Sequence, residues 1–292
     1  MKKIKNLLDD GMILLADGAW GTMLQAYGLK PGECPEEWNI THPDEVSGIA
    51  RRYIEAGSQI VLTNTFGGSA FKLRNYDLQD RVAQINYDGV RLSKQAAFEK
   101  AYVFSSVGPT GKFIEPIGDV SEADMYEVFK EQIGAQAKAG ADCILIETMS
   151  DLKEASIAAR AALENTNLPV AVTLTFERGK SGYKTMMGIT IEQAVRELER
   201  VGVDFLGTNC GNGIHEMIDI VKEMRIYTDK YIIAQPNAGK PRLVDGRTLF
   251  EQGPKIMASA VPGLIQAGAN IVGGCCGTTP EHIRAIAEIL YT

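Results

Sequence analysis

The sequence predicts a (β/α)8 barrel, and three observations carry that prediction. Short apolar runs alternate with longer amphipathic stretches along the whole chain, and there are eight such runs. The runs are near-continuous in apolar residues, as suits parallel strands covered on both faces. No Pro/Gly/Ser-rich linker or low-complexity tract divides the 292 residues, a length that one barrel of about 250 residues accommodates.

Taken in order, the runs are MILLADGA (12–19), IVLTNTFG (60–67), YVFSSVGPTG (102–111), CILIETMSD (143–151), PVAVTLTF (169–176), DFLGTNCG (204–211), YIIAQPNAG (231–239) and NIVGGCCGTTP (270–280). Each ends in small or polar residues. The segments between them read as helices: VRELERVGVD (195–204) and IRAIAEIL (283–290) carry apolar positions at helical spacing. AGS (56–58), AGAD (139–142), VGVD (201–204) and AGAN (267–270) stand just before strands, where glycine ends a helix in the left-handed conformation. An open doubly wound sheet is the alternative, but eight uninterrupted units favour closure. The chain therefore reads as a single domain, 1–292. The loop ERGKSGYKTMMG (177–188) after the fifth strand is long enough to cover a site, or is an ordinary surface loop.

Composition narrows the function classes. Thirty basic against 37 acidic residues leave a net charge of −7, which argues against a nucleic-acid partner, since phosphate binding needs a basic face. Hydrophobic residues make up 45% and charged residues 23%, the balance of an ordinary globular core rather than a disordered chain. No apolar run approaches the ~18 residues that span a bilayer. The start, MKKIKNLLDDGM, is basic, but Asp9 and Asp10 interrupt it before a secretory segment develops. A cytoplasmic protein without a membrane partner is expected. Five cysteines, an odd number, do not suggest a disulfide framework. Vicinal Cys275 and Cys276 make a strained pair, which leaves metal ligation or simple burial.

In this fold the working residues project from the C-terminal strand ends. The polar residues there are Asp17, Thr63, Asn64, Glu147, Thr173, Thr175, Asn209, Cys210, Gln235, Asn237, Cys275 and Cys276. Strands six and eight are separated by one neighbour, about 10 Å, so Cys210, Cys275 and Cys276 can lean toward one ion. Three thiolates fill three corners of a tetrahedral zinc and leave one open, the pattern of a catalytic rather than a structural site. The glycines in GGCCG and NCGNG free the backbone to wrap it. The alternative is three buried cysteines acting as small apolar residues. A Zn2+ ion with three thiolates carries a net −1, poor for activating water but suited to binding a further thiol and keeping its sulfur nucleophilic. Alkylation of a substrate thiol follows. Asp17 and Glu147 offer carboxylates for an ammonium group, or cap local helices. The turns DGAWGT (17–22) and GGSA (67–70) offer N–H groups to a carboxylate. Asn237 is either a spare oxygen ligand or a turn former. His42, His215 and His282 read as structural. GGCCGTTPEH also resembles a glycine-rich phosphate turn, which leaves the paired cysteines unexplained.

Together DGAWGTMLQ (17–25), CPEEWN (34–39), TNTFG (63–67), SVGPTG (106–111), IETMSD (146–151), TNCG (208–211), QPNAGKP (235–241) and GGCCGTTPEH (273–282) resemble the homocysteine S-methyltransferase family, most of all the homocysteine-binding domain of cobalamin-dependent methionine synthases. The resemblance implies a zinc barrel that methylates homocysteine to methionine. It carries the family's metal ligands onto Cys210, Cys275 and Cys276, its amino-group carboxylate onto Glu147, its first-strand aspartate onto Asp17, and its metal-proximal asparagine onto Asn237. Cys34 and Cys143 match no ligand position. No cobalamin-binding DxHxxG motif is present, so methylcobalamin is expected on a separate corrinoid protein. The alternative is a small donor such as S-methylmethionine or betaine. Trp20, with Trp38, Tyr183 and Phe66, would offer aromatic faces to such a cation, or packs the barrel rim.

Overall fold

The computed structural model describes residues 4–244 and 247–291. Eight parallel strands, β1 (Leu14–Leu15), β2 (Ile60–Leu62), β3 (Tyr102–Val107), β4 (Cys143–Met149), β5 (Val170–Leu174), β6 (Phe205–Asn209), β7 (Tyr231–Gln235) and β8 (Ala269–Val272), form one ring in the order β1-β8-β7-β6-β5-β4-β3-β2. A parallel bridge from Ala16 to Ile60 closes it. All eight apolar runs become strands, and their polar tails become the loops above the ring. The fold is a (β/α)8 barrel.

Strand parity divides the core. Phe104, Leu145, Ala171, Phe205, Ile233 and Ile271 point inward and pack with Ile4 and Leu8 of the helix Ile4–Asp9. Their neighbours Ile144, Ile146, Val172, Leu206, Ile232 and Val272 pack outward among the helices. Period-two alternation puts Ser106, Glu147, Thr173 and Gln235 on the inward side, one step above the apolar layer. A polar floor at the strand ends is thus written into the register.

The four glycines placed before strands, Gly57, Gly140, Gly202 and Gly268, all have positive φ. Gly202 and Gly268 are the left-handed caps of the helices Ile191–Val201 and Pro254–Ala267, and the first of these ends where the glycine of VGVD was expected to stop it. Thr190 and Gln193 start that helix with a capping box. Two antiparallel hairpins were not foreseen: Glu177–Gly179 with Gly182–Lys184, and Pro241–Val244 with Arg247–Phe250. Among the described residues no helix is long and apolar enough to cross a membrane.

Candidate active site

A cavity of about 270 Å³ opens at the C-terminal strand ends, and its walls include Trp20, Glu36, Phe66, Glu147, Cys210 and Cys276. A larger groove of about 1030 Å³ lies on the outer wall between the helices Leu152–Asn165 and Ile191–Val201 and holds none of the strand-end residues.

Cys210 follows β6, and Cys275 and Cys276 follow β8. Main-chain bonds knit the three loops above β6, β7 and β8: Cys210 N–H to Gln235 O, Asn237 N–H to Asn212 O, Cys275 N–H to Pro236 O and Ala238 N–H to Cys276 O, at 2.8–3.1 Å. This brings the three sulfurs within 4.8 Å of one another, with Cys210 Sγ 3.8 Å from Cys276 Sγ. Metal–sulfur bonds of about 2.3 Å at tetrahedral angles impose a sulfur–sulfur separation of about 3.8 Å. Cys210 itself adopts a left-handed φ of 61°. The cluster gives up its first proton easily. Thiol hydrogen bonds from Cys275 and Cys276 hold Cys210 as a thiolate and bring its pKa down to about 3. The same proton sharing drives Cys275 well up and Cys276 up to about 12. A divalent soft cation relieves this frustration, because it pairs with all three charges at once. Asn237 is buried, its amide bonds Cys210, and its Oδ1 has no partner among the described residues. Gln235 Oε1 is likewise buried without a partner and belongs to a residue of the cavity wall. Sulfur spacing, charge and orphaned oxygens all fit a tetrahedral zinc ion beside a polar ligand.

Glu147 lines the cavity. Its Oε1 accepts from Ser106 Oγ and its Oε2 from Asn209 Nδ2 at 3.2 Å. Burial, and to a smaller degree the Cys210 charge, push its carboxyl up to about 7 against the Ser106 bond. Asp17 differs. It follows β1 and is fully buried, next to Gly18, Trp20 and Leu62 of the cavity wall. Its Oδ2 accepts from Leu62 N–H and Trp20 Nε1–H, both at 2.8 Å, while Oδ1 has no partner among the described residues. Burial, chiefly, and the Glu147 charge raise its pKa from 3.8 to about 7.

The Asp17 shift has a defined sign. An acid whose folded pKa lies above its unfolded pKa destabilises the fold once both states are ionised. The contribution vanishes below about pH 4 and grows until pH 7. The metal-free protein is therefore expected to lose stability from this group between pH 4 and 7, by at most roughly 4 kcal/mol. Asp17→Asn flattens that slope in thermal melts across the same range, and an unchanged slope would show that Asp17 is not its source.

Other expectations resolve unevenly. Of the four aromatics, Trp20 and Phe66 line the cavity. Trp38 is buried and stacks on His42 at 4.2 Å, and Tyr183 bonds Asp219, so neither faces the site. No residue of the 177–188 loop lines the cavity. Both glycines of the GGSA turn have spent their donors: Gly67 N–H goes to Glu36 Oε1 at 2.6 Å and Gly68 N–H to Thr65 O. His282 bonds Thr279 and Gln252 O, which makes it structural. Cys34 and Cys143 are buried away from the thiol cluster. Sequence reasoning missed Glu36, Ser106 and Thr148. Glu36 is a further buried carboxylate of the wall, which Cys34 Sγ contacts at 3.5 Å. A serine at an inward position of an apolar strand was a visible signal for Ser106; nothing local marked the other two.

Fold and site together define a (β/α)8 barrel with a thiol cluster and buried acids at one cavity. The chain belongs to the homocysteine S-methyltransferase family, whose sequence model matches residues 14–290. It is 34% identical over 293 aligned positions to the methionine synthase of Mycobacterium tuberculosis and 33% identical to that of Mycobacterium leprae. Each alignment covers 94% of this chain but 24% of the relative, so the chain spans about a quarter of their length. Among solved structures, the metallated homocysteine methyltransferase MmuM of Escherichia coli superposes with a TM-score of 0.83 at 22% identity, over 98% of this chain and 99% of that one. Its apo form gives 0.78. That likeness is one of fold.

Proposed function

We propose that this chain is a single barrel domain that binds zinc on Cys210, Cys275 and Cys276 and methylates homocysteine to methionine, with the methyl group delivered by a separate corrinoid protein carrying methylcobalamin. The observation that carries this reading is the cluster of three sulfurs within 4.8 Å of one another, one pair at 3.8 Å, beside a buried carboxylate in a cavity sized for an amino acid. Zinc, when bound there, would lower the pKa of an incoming thiol and leave its sulfur nucleophilic.

The chain's own residues do the rest. Glu147 receives the substrate ammonium, and Ser106 and Asn209 hold its two oxygens in place. Asp17, bonded to Trp20 and Leu62 of the wall, adds a second carboxylate near the ammonium. The first turn of the helix Trp20–Ala26 borders the cavity and has no side-chain cap, so its N–H groups are the donors we assign to the substrate carboxylate. The homocysteine sulfur forms a bond to the methyl carbon, the donor–methyl bond breaks and its electron pair stays on the donor. The thiol proton leaves to solvent. Fixing both reactants supplies much of the acceleration. The cavity is too small for a corrin, so such a donor would present its methyl group at the mouth.

A second reading uses a small cationic donor such as S-methylmethionine or betaine. The observation that favours it is that Trp20 and Phe66 form part of the cavity wall, where a cation would meet aromatic faces. One experiment separates the two: methionine formation from L-homocysteine by zinc-loaded protein, with methylcobalamin, S-methylmethionine or betaine. Turnover with methylcobalamin alone supports the corrinoid reading. Turnover with a cationic donor supports the second, and Trp20→Ala is then expected to weaken that donor about tenfold. No methionine from any donor, free or protein-borne, refutes both.

A further inference from the structure

The carboxylate of the cavity and the thiol cluster are joined by one side chain. β4 carries a bulge: Ile146 pairs with Val172 and Met149 with Leu174, so one extra residue is absorbed between them. Glu147 and Thr148 occupy it. Thr148 has φ of 61°, a left-handed conformation foreign to a β-branched residue. Something must hold it, and the structure supplies Asn209, the fully buried last residue of β6. Asn209 Oδ1 accepts the Thr148 N–H at 2.8 Å and the Thr173 hydroxyl at 2.8 Å. Its Nδ2 donates to Thr148 Oγ1 at 2.7 Å, to Glu147 Oε2 at 3.2 Å, and lies 3.9 Å from Cys275 Sγ. The amide replaces the ladder partner that the bulge removes and at the same time bonds the carboxylate the bulge presents. Asn209 also directly precedes Cys210, so one buried residue links the carboxylate to the thiol cluster.

We infer that Asn209 is a positioning residue for substrate: by clamping the β4 bulge it aims Glu147 at the substrate ammonium while Cys210 is held for the substrate sulfur. The inference rests on the proposed homocysteine reading and deepens it. A merely structural asparagine would affect all ligands alike, whereas this role concerns the amino-acid end.

The test compares two ligands on zinc-loaded protein by calorimetry: L-homocysteine, and 4-sulfanylbutanoate, which lacks the ammonium group. Zinc retention is followed separately by chelator competition. Asn209→Ala is expected to weaken L-homocysteine roughly tenfold or more, the usual worth of a hydrogen bond to a charged group. On protein kept saturated with zinc, it should leave 4-sulfanylbutanoate affinity within about threefold. On a Glu147→Gln background the same change should cost homocysteine nothing further, because the two residues act as one unit. Asn209→Asp keeps the volume and the Oδ1 acceptor but loses the donor to Glu147. It serves if the alanine variant does not fold, and the same ligand-selective loss is expected. Equal losses for both ligands, or fully additive losses in the double variant, would overturn the inference. If the unaltered protein binds the two ligands equally well, the ammonium reading of Glu147 itself fails, and this inference with it.

Discussion

Cys210→Ala is expected to release zinc and abolish methionine formation with every donor. Three thiolates are the whole protein share of a four-coordinate site, and the cluster relies on Cys210 to carry its first negative charge. Removing a group that only hydrogen-bonds a metal ligand costs roughly 10–100-fold in affinity, and removing a ligand should cost far more. Cys210 has a left-handed backbone, so alanine there adds some strain of its own. Cys276→Ala provides the cleaner control, because Cys276 is exposed and its truncation leaves no hole in the core. Both variants should hold well below one equivalent of zinc after dialysis, with circular dichroism unchanged. Full metal content in both, with activity, would refute the proposed metal site.

Glu147→Gln is expected to raise the dissociation constant for L-homocysteine roughly a hundredfold or more, the usual consequence of leaving one partner of a buried ion pair uncompensated. The pH profile gives a second check. Burial places the Glu147 carboxyl at about 7 in the empty cavity, and an ammonium needs the ionised form. Affinity should therefore rise between pH 6 and 8 in the unaltered protein and lose that rise in the glutamine variant. L-2-Aminobutyrate is the probe for this measurement, since it keeps the amino-acid end of homocysteine but has no thiol to titrate. A glutamine variant with unchanged affinity and unchanged profile would remove Glu147 from the binding site.

What could be read from the sequence followed from local signals. Apolar runs, helix-ending glycines and polar residues at run ends are short-range patterns, and they located eight strands and the thiols. The inward parity of Glu147 and Gln235 could be counted along their own strands. The bulge in β4 could not, because it exists only in the register between β4 and β5. Thr148 is an ordinary strand former by composition, and its left-handed backbone is imposed by Asn209 from 61 residues away. Glu36 sits in a turn that looks solvent-facing until Gly67 and Cys34 close over it. Asp17 could be placed at a strand end, but its bonds to Leu62 N–H and Trp20 Nε1–H could not be foreseen. Interactions between distant segments decided every one of these cases.

The closure of the ring by so short a first strand has a consequence for how the molecule breathes. β1 is joined to β2 by the Ala16–Ile60 bridge, by Gln59 N–H on Leu15 O, and by Leu62 N–H on the Asp17 carboxylate. Two ladder pairs join β1 to β8 and three join β2 to β3, whereas four join β5 and β6 and five join β6 and β7. The ring is a hoop with a clasp, and part of the clasp is a side chain. Sub-global opening should start where the ladder is thinnest, along the wall that carries Trp20. The barrel can then part at one seam while the thiol loops above β6, β7 and β8 stay knitted together on the other side.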